Sequence, residues 1–313
     1  MVKTIVVRDA SRLPPLGEPV VGAIGNFDGV HLGHQALLGR VRDRVAGGGT
    51  GVAISFYPHP MVVLRRAERL PLLTTLRLKL QALGEAGVAL LYLIHFTPRF
   101  SRRSADEFIE ETLWGTLGLS HLVIGPDARV GVDRSGTAEY LVERFQRSGR
   151  SAEIVPFVQS GGETISSRRI RQLVSGGQVD EAARLLGRPF TLDSLVITGD
   201  RRGRQLGFPT ANLKPNRQVT PERGVYATRT ILNGTSWASV TNVGVRPTFG
   251  GERLAVETHL LEYTGPEFYG AEVEVAFIER LRGEQRFSGI EELKSQIGRD
   301  IAAARRILQP CGD

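Results

Sequence analysis

The hydrophobic pattern of the chain changes character near residue 190. Before that point, short apolar runs alternate with segments whose apolar residues recur at helical spacing. Strands that alternate with helices predict a parallel, doubly wound α/β sheet with right-handed crossovers. The predicted strands are Thr4–Val7, Val20–Ile24, Val52–Phe56, Val88–Ile94, His121–Ile124 and Ala152–Phe157. The predicted helices cover about 34–46, 75–86, 104–117 and 137–147. Ser104 and Glu107 form a capping box that fixes the start of the third helix.

After residue 190, short segments of alternating polar and apolar residues predict half-buried strands. These segments are Leu192–Ile197, Gly224–Thr230, Trp237–Val243, Leu254–Glu262 and Glu272–Ile278. An apolar stripe from Ile290 to Ile307 predicts one helix at the end of the chain. This half is therefore an all-β barrel or sandwich with a terminal helix. A short helix over Val179–Leu186, ended by Gly187, connects the two halves.

Composition narrows the choice of partners. The chain has 313 residues, a formal net charge of +7 and a single cysteine, Cys311. A basic chain favours polyanionic ligands, although an ordinary basic surface is an equally simple explanation. No aromatic residues interleave with the arginines and no zinc-finger or RRM pattern occurs, so nucleic acid is not an expected partner. No secretory signal is evident, and the apolar run over residues 87–94 is too short to span a bilayer. A cytoplasmic protein without membrane contact is predicted.

The most informative segment is Gly25–His34, a turn between the strand Val20–Ile24 and a helix. Backbone N–H groups at a helix start, together with the helix dipole, favour phosphate binding there. His31 and His34 add hydrogen-bond donors. His59 follows another predicted strand, so it is expected at the same carboxyl edge of the sheet. The alternative is an ordinary strand-to-helix turn with two solvated histidines.

The string GNFDGVHLGHQ resembles the amino-terminal module of bacterial bifunctional riboflavin kinase/FAD synthetases, within the HxGH nucleotidyltransferase superfamily. The resemblance implies adenylyl transfer from ATP to FMN, with His31 and His34 supporting the triphosphate and the leaving pyrophosphate. It implies further ATP contacts by Gly25, Asn26, Phe27, Asp28, Gly33, Ser166, Ser167, Arg168 and Arg171. It implies flavin contacts by His59, Asp127 and Arg129. Without the resemblance, Arg168 and Arg171 are equally well explained as solvated arginines on a capped surface helix.

The same resemblance exposes departures in the first module. Arg168 replaces a threonine of the family's phosphate-binding string. Ala128 and Val130 replace two phenylalanines in the loop beside the flavin. Loss of aromatic area weakens packing on a flat ring by about 1 kcal/mol per ring. A riboflavin kinase with a weak or inactive adenylyltransferase module is therefore the alternative function.

The segment Gly199–Asn212 matches the family's riboflavin kinase pattern GxxxGRxLGxPTAN throughout. The pattern places this segment on one loop after a strand. From its composition alone, the segment is an ordinary glycine-rich connection between two strands. The resemblance implies that the following residues bind ATP: Gly199, Gly203, Arg204, Gly207, Pro209, Thr210 and Asn212. It also implies that Thr210 and Asn212 hold Mg²⁺. Glu257, in the middle of a predicted strand, is the implied general base; a solvent-facing glutamate is the alternative.

The resemblance implies two domains, an adenylyltransferase over residues 1–187 and a riboflavin kinase over residues 188–313. The expected substrates are ATP, riboflavin and FMN, the expected product is FAD, and Mg²⁺ is the expected cofactor. A non-catalytic flavin- or RNA-binding protein built on the same folds is a second alternative. The oligomeric state cannot be read from the sequence. Leu73-Thr-Thr also matches a family string, although a helix N-cap is the favoured interpretation.

Overall fold

The computed structural model describes residues 2–64, 70–198, 207–248 and 251–309. Side chains of residues 246–248 and 251–253 are not described. Contacts divide the chain into two units. The first unit comprises Met1–Leu70 and Leu76–Ser166; the second comprises Pro71–Thr75 and Ser167–Asp313. The short segment Pro71–Thr75 thus belongs to the second unit although the first unit surrounds it in sequence.

The first unit is built on a six-stranded parallel sheet, which confirms the predicted α/β architecture. Its strands are β1 (Ile5–Val7), β2 (Val20–Ile24), β3 (Thr50–Tyr57), β4 (Leu90–His95), β5 (His121–Ile124) and β8 (Ser151–Ile154), in the order β1-β4-β3-β2-β5-β8. Two short ribbons complete it: β6 (Arg129–Val130) with β7 (Gly136–Thr137), and β9 (Gln159–Ser160) with β10 (Glu163–Thr164). The central strands are mostly apolar because helices cover both faces of such a sheet.

The helices of the first unit lie close to their predicted positions. They are α1 (Leu32–Arg44), α2 (Pro60–Val63), α3 (Leu76–Glu85), α4 (Ala105–Glu107, continued over Phe108–Thr116 in wider π-helical turns) and α5 (Ala138–Arg147). Ser104 and Glu107 form the predicted capping box. The core lies in two layers, one on each face of the sheet. Leu38 and Val41 of α1 are buried in one of them.

The second unit contains a closed barrel of six antiparallel strands and a terminal helix, as expected for the second half. Its elements are α6 (Ser167–Ser175), α7 (Val179–Leu186), β11 (Phe190–Ile197), β12 (Ala211–Pro215), β13 (Gly224–Leu232), β14 (Thr235–Thr248), β15 (Gly251–Leu260), β16 (Glu272–Arg282) and α8 (Ile290–Leu308). The strand order around the barrel is β11-β12-β15-β14-β13-β16. Gly187 ends α7 in the left-handed region, as its position in the sequence predicted.

One strand of the barrel was not predicted. The sequence places Asn212 on a glycine-rich loop, and this is wrong: Ala211–Pro215 forms β12. The segment carries little β-propensity of its own. It becomes a strand because it pairs with β11 on one side and with β15 on the other. Among the described residues, no helix is long and apolar enough to cross a membrane.

Candidate active sites

The histidine turn lies at the point where the order of the sheet reverses. From β2 the chain proceeds through β3 and β4 to one side, and then returns to place β5 on the other side of β2. In open α/β sheets, ligands bind beyond the carboxyl ends of the strands at such a switch point. Gly25–His31 follow β2, and the loop that begins at Gly125 follows β5. The topology therefore places the predicted phosphate-binding turn where this fold binds ligands.

The turn is held in an unusual backbone conformation. Phe27 and Val30 both have positive φ values, 48° and 42°, and Gly29 has a φ of 86°. The side chains of Phe27 and Val30 are fully buried, and Asp28 between them is only 2% exposed. Burial of two apolar side chains offsets the cost of left-handed backbone at non-glycine positions. Strained backbone of this kind concentrates at functional sites.

His31 and His34 lie together at the amino end of α1. His31 is the N-cap residue, and its Nδ1 accepts a hydrogen bond from the backbone N–H of His34 at 3.3 Å. The two rings stack with centroids 3.7 Å apart. Because Nδ1 of His31 is an acceptor, the proton of the neutral ring lies on Nε2. Burial, aided by the charges of His31 and Lys79, holds the pKa of His34 well below its usual range.

Lys79 and Ser55, for which the sequence predicted no role, hold the turn through hydrogen bonds to its backbone. The Asn26 carbonyl accepts hydrogen bonds from Lys79 Nζ at 2.8 Å and from Ser55 Oγ at 3.2 Å. Burial lowers the pKa of Lys79, while the charge of Asp28 acts in the opposite direction. One signal of Lys79 is present in the sequence. It stands between Leu76 and Leu83 at helical spacing, so the pattern places a charge on the apolar stripe of α3.

The residues expected to contact flavin lie on the loops after β3 and β5. His59 follows β3 and caps α2, accepting a hydrogen bond from the Met61 N–H at 3.2 Å. Asp127 is exposed on the loop after β5, and Arg129 is exposed at the start of the short strand β6 that follows it. The Arg129 guanidinium donates to the Ala128 carbonyl at 2.7 Å, which curls it back on its own loop. All three are brought to the carboxyl edge of the sheet; their contacts with a flavin stay predictions.

Aromatic area absent from positions 128 and 130 is present nearby in the fold. Val130 is buried, and Ala128 packs against the same apolar cluster. Phe56, Phe100 and Phe108 belong to that cluster, and Phe96 contacts the rings of Phe56 and Phe100. The centroids of the contacting ring pairs lie between 5.6 and 6.4 Å apart. Phe96 and Phe100 are only partly buried. Both lie in the segment that follows β4, and the sequence pattern predicted no functional role for them.

The predicted phosphate-binding string spans the division between the two units. Ser166 is the last residue of the first unit, and Ser167 begins α6 of the second. Within α6, Ile170 and Val174 are buried, Arg168 is exposed and Arg171 is half-buried. The role of these serines and arginines in ATP binding stays a prediction.

In the second unit, strand register brings three predicted residues together. Glu257 of β15 lies directly opposite Asn212 of β12. Thr210, just before β12, donates its hydroxyl to Glu257 Oε2 at 3.4 Å. Val256 and Thr258 are buried in the barrel, so alternation turns Glu257 to its outer face. The three side chains supply hydroxyl, amide and carboxylate oxygen, which are the donors that Mg²⁺ prefers.

His259 fastens the end of the predicted ATP-binding segment to β15. Its Nδ1 lies 2.7 Å from the Pro209 carbonyl, and its ring meets the Phe208 ring edge to face at 6.0 Å. A carbonyl only accepts, so Nδ1 donates. Gly207 has a φ of 89°, a value that favours glycine at the turn into this segment. The predicted residues Gly199, Gly203 and Arg204 lie outside the described residues.

Comparison with known proteins shows the family to which the chain belongs. Residues 14–169 match the sequence model described as FAD synthetase, and residues 186–308 match the one described as riboflavin kinase. The bifunctional riboflavin kinase/FMN adenylyltransferase of Pseudomonas fluorescens is 38% identical over 307 residues, covering 97% of this chain and 98% of that protein. The chain belongs to this family. The Escherichia coli K12 protein of the same name is 36% identical over 304 residues and 96% of each chain.

The family membership confirms the resemblance inferred from the motifs. The chain is an enzyme of flavin cofactor synthesis that carries both a riboflavin kinase module and an FMN adenylyltransferase module. A crystal structure from Streptococcus pneumoniae, titled a macrolide-efflux protein, is also similar. It shares 30% identity and a TM-score of 0.87, covering 97% of this chain and 99% of that chain.

Proposed function

We propose that the first unit transfers AMP from ATP to FMN and that the second unit phosphorylates riboflavin to FMN. The stacked histidine pair at the switch point of the sheet carries the first assignment. The cluster of Thr210, Asn212 and Glu257 on the barrel supports the second. Because both reactions consume ATP, we infer that the enzyme works in the cytoplasm.

In the first unit, an oxygen of the FMN phosphate attacks the α-phosphorus of ATP, and pyrophosphate leaves with the electron pair of the broken P–O bond. This step needs positioning and charge neutralisation more than covalent help. His31 donates from Nε2 to a phosphate oxygen, and the amino end of α1 directs its N–H groups at the same charge. His34 supports the leaving pyrophosphate. The family pattern implies a further phosphate contact by Arg171, and we propose that Arg168, which replaces a threonine of that pattern, contacts phosphate as well.

The flavin of FMN occupies the edge of the sheet beyond β3, β4 and β5. His59, Asp127 and Arg129 supply its polar contacts. The partly buried rings of Phe96 and Phe100 offer apolar area against which isoalloxazine can pack, at about 1 kcal/mol per ring. These rings supply aromatic area in place of the two phenylalanines that Ala128 and Val130 replace. They favour a working adenylyltransferase over the alternative of a kinase with an inactive first module.

In the second unit, Glu257 accepts the proton of the ribityl 5′-hydroxyl as that oxygen attacks the γ-phosphorus of ATP, and ADP leaves. Thr210 and Asn212 hold Mg²⁺, which neutralises phosphate charge when it is bound with ATP. The backbone of Gly207 and Pro209 leads the chain to these ligands. The described residues fit the ion, because Mg²⁺ in such sites uses few protein oxygens and takes the rest from phosphates and water.

A single product assay tests both assignments. Purified protein is supplied with riboflavin, ATP and Mg²⁺, and the FMN and FAD formed are separated by chromatography. We expect FMN to appear first and FAD to follow. FMN without FAD, also when FMN itself is the substrate, would support the kinase-only alternative. Formation of neither product would contradict both assignments.

A further inference from the structure

Lys79 is a charged side chain placed where an apolar one would be expected. It lies on α3 between the buried residues Leu78 and Leu83, and its ammonium reaches the turn at Asn26. The hydrogen bond of 2.8 Å goes to a backbone carbonyl rather than to a carboxylate. Removing an ammonium from water is costly, and one neutral acceptor together with the nearby charge of Asp28 recovers only part of that cost. A partly buried lysine whose ammonium is shielded from solvent in this way marks a candidate functional group.

The atoms beside Lys79 are also incompletely satisfied. Asn26 Oδ1 and His34 Nδ1 are buried and have no hydrogen-bond partner within the part of the chain that the structure describes. Buried polar atoms are normally paired, so unpaired ones at a turn call for an explanation such as a missing ligand. His34 also feels the positive charge of Lys79 directly. The ammonium, the unpaired atoms and the amino end of α1 therefore belong to one small region.

We propose that Lys79 is a further phosphate-binding residue of the adenylyltransferase site, whose charge attracts the polyphosphate of ATP while its hydrogen bond to Asn26 holds the turn. This inference rests on the proposed function of the first unit. An anion at the turn compensates the buried ammonium, so the cost of burial in the free enzyme becomes binding free energy in the complex. Hydrogen bonds between an ammonium and a phosphate oxygen are strong because both partners are charged.

The test separates the charge of Lys79 from its support of the turn. FAD formation is measured from FMN and ATP at constant free Mg²⁺. Because FMN is the substrate, the measured rate depends on the adenylyltransferase reaction alone. Inorganic tripolyphosphate and adenosine are used as inhibitors, one carrying the phosphates and the other the base and sugar. Lys79→Gln keeps a donor for the Asn26 carbonyl and loses the charge. Lys79→Arg keeps the charge, and Lys3→Met removes an exposed lysine of the same unit as a control.

We expect Lys79→Gln to raise the inhibition constant of tripolyphosphate about tenfold or more and to leave that of adenosine within about twofold. Lys79→Arg should recover most of the tripolyphosphate binding, and Lys3→Met should change neither constant. Equal weakening of both inhibitors would show that Lys79 only shapes the turn, and this would overturn the proposal. Wild-type constants in Lys79→Gln would overturn it as well.

Failure of this inference can be told from failure of the proposed site. If His31→Gln leaves FAD formation at the wild-type rate, the histidine turn is not the adenylyltransferase site. If His31→Gln abolishes FAD formation while Lys79→Gln binds tripolyphosphate normally, only the role of Lys79 is wrong. Should Lys79→Gln prove unstable, Lys79→Arg carries the test: it must bind tripolyphosphate at least about ten times more tightly than Lys79→Met.

Discussion

The two active regions of this chain are assembled in different ways. In the first unit, the histidine turn has strained backbone at Phe27 and Val30. Burial lowers the pKa values of His34 within the turn and of Lys79 beside it. In the second unit, Glu257, Thr210 and Asn212 lie half-exposed on the outside of a barrel, positioned by strand register. The proposed nucleotidyl transfer site is thus preorganised by the backbone of its own turn. The proposed kinase site presents side-chain oxygens that the pairing of two strands brings together.

The largest expected effect concerns Glu257, the proposed general base of the kinase reaction. Glu257→Gln keeps the shape of the side chain but cannot accept the proton of the attacking hydroxyl. We expect FMN formation from riboflavin to fall about a thousandfold, and FAD formation from FMN to stay unchanged. Steady-state assays of the two half-reactions measure both. Glu272→Gln, an exposed glutamate on β16, is the control. Near-normal FMN formation in Glu257→Gln would assign the base elsewhere.

The corresponding change in the first unit is His31→Gln. The N-cap interaction with His34 and the donor at Nε2 are both altered, so we expect FAD formation to fall about a hundredfold. FMN formation from riboflavin should remain at the wild-type rate. Arg147→Gln, at an exposed position of α5, is the control. A parallel loss of both activities in His31→Gln would mean that the two reactions are not separable by unit.

A smaller effect is expected at His259. This residue positions the segment Pro209–Thr210, and no contact with substrate is proposed for it. His259→Leu removes the donor to the Pro209 carbonyl, so we expect KM for ATP in FMN formation to rise about fivefold, with kcat changed less. His259→Asn places an amide N–H near the position of Nδ1 and should restore most of the affinity. If Asn behaves like Leu, the ring rather than its hydrogen bond is what matters.

The smallest effect concerns acid stability of the first unit. Hydrogen bonds from Arg44, followed by Arg40, lower the pKa of Glu153 to about 2. A depressed carboxyl pKa gives stability that is complete above the unfolded value near 4.5 and is lost as pH falls toward 2. These arginines are largely exposed to solvent, so the contribution is about 1 kcal/mol after screening.

Thermal unfolding of Glu153→Gln checks this value. We expect its Tm at pH 7 to lie about 2–4 °C below the wild-type Tm, with the gap closing as the pH is lowered toward 2. Glu143→Gln removes an exposed pair with Arg147 on α5 and should shift the Tm far less. A gap for Glu153→Gln that widens at low pH would contradict the assigned linkage.

The sequence by itself determined the class of each half, most element positions and the candidate residues. The strand-turn-helix around His31 is local, because apolar runs, glycines and a capping residue act within a few positions of one another. Glu257 in the middle of a strand followed from the same local alternation. Only tertiary structure decided that Ala211–Pro215 is a strand, since its pairing partners in β15 are far away in sequence.

Tertiary structure also decided which unmarked residues join the sites. Lys79 and Ser55 meet at the Asn26 carbonyl from a helix and a strand that are distant in sequence. Segment Pro71–Thr75 packs in the second unit, where Thr75 donates to Asp193 at 2.7 Å and Leu73 accepts from Gln218 at 3.0 Å. The local sequence pattern carries no information on these long-range contacts. Burial, pKa shifts and hydrogen-bond partners arise only when distant segments pack together.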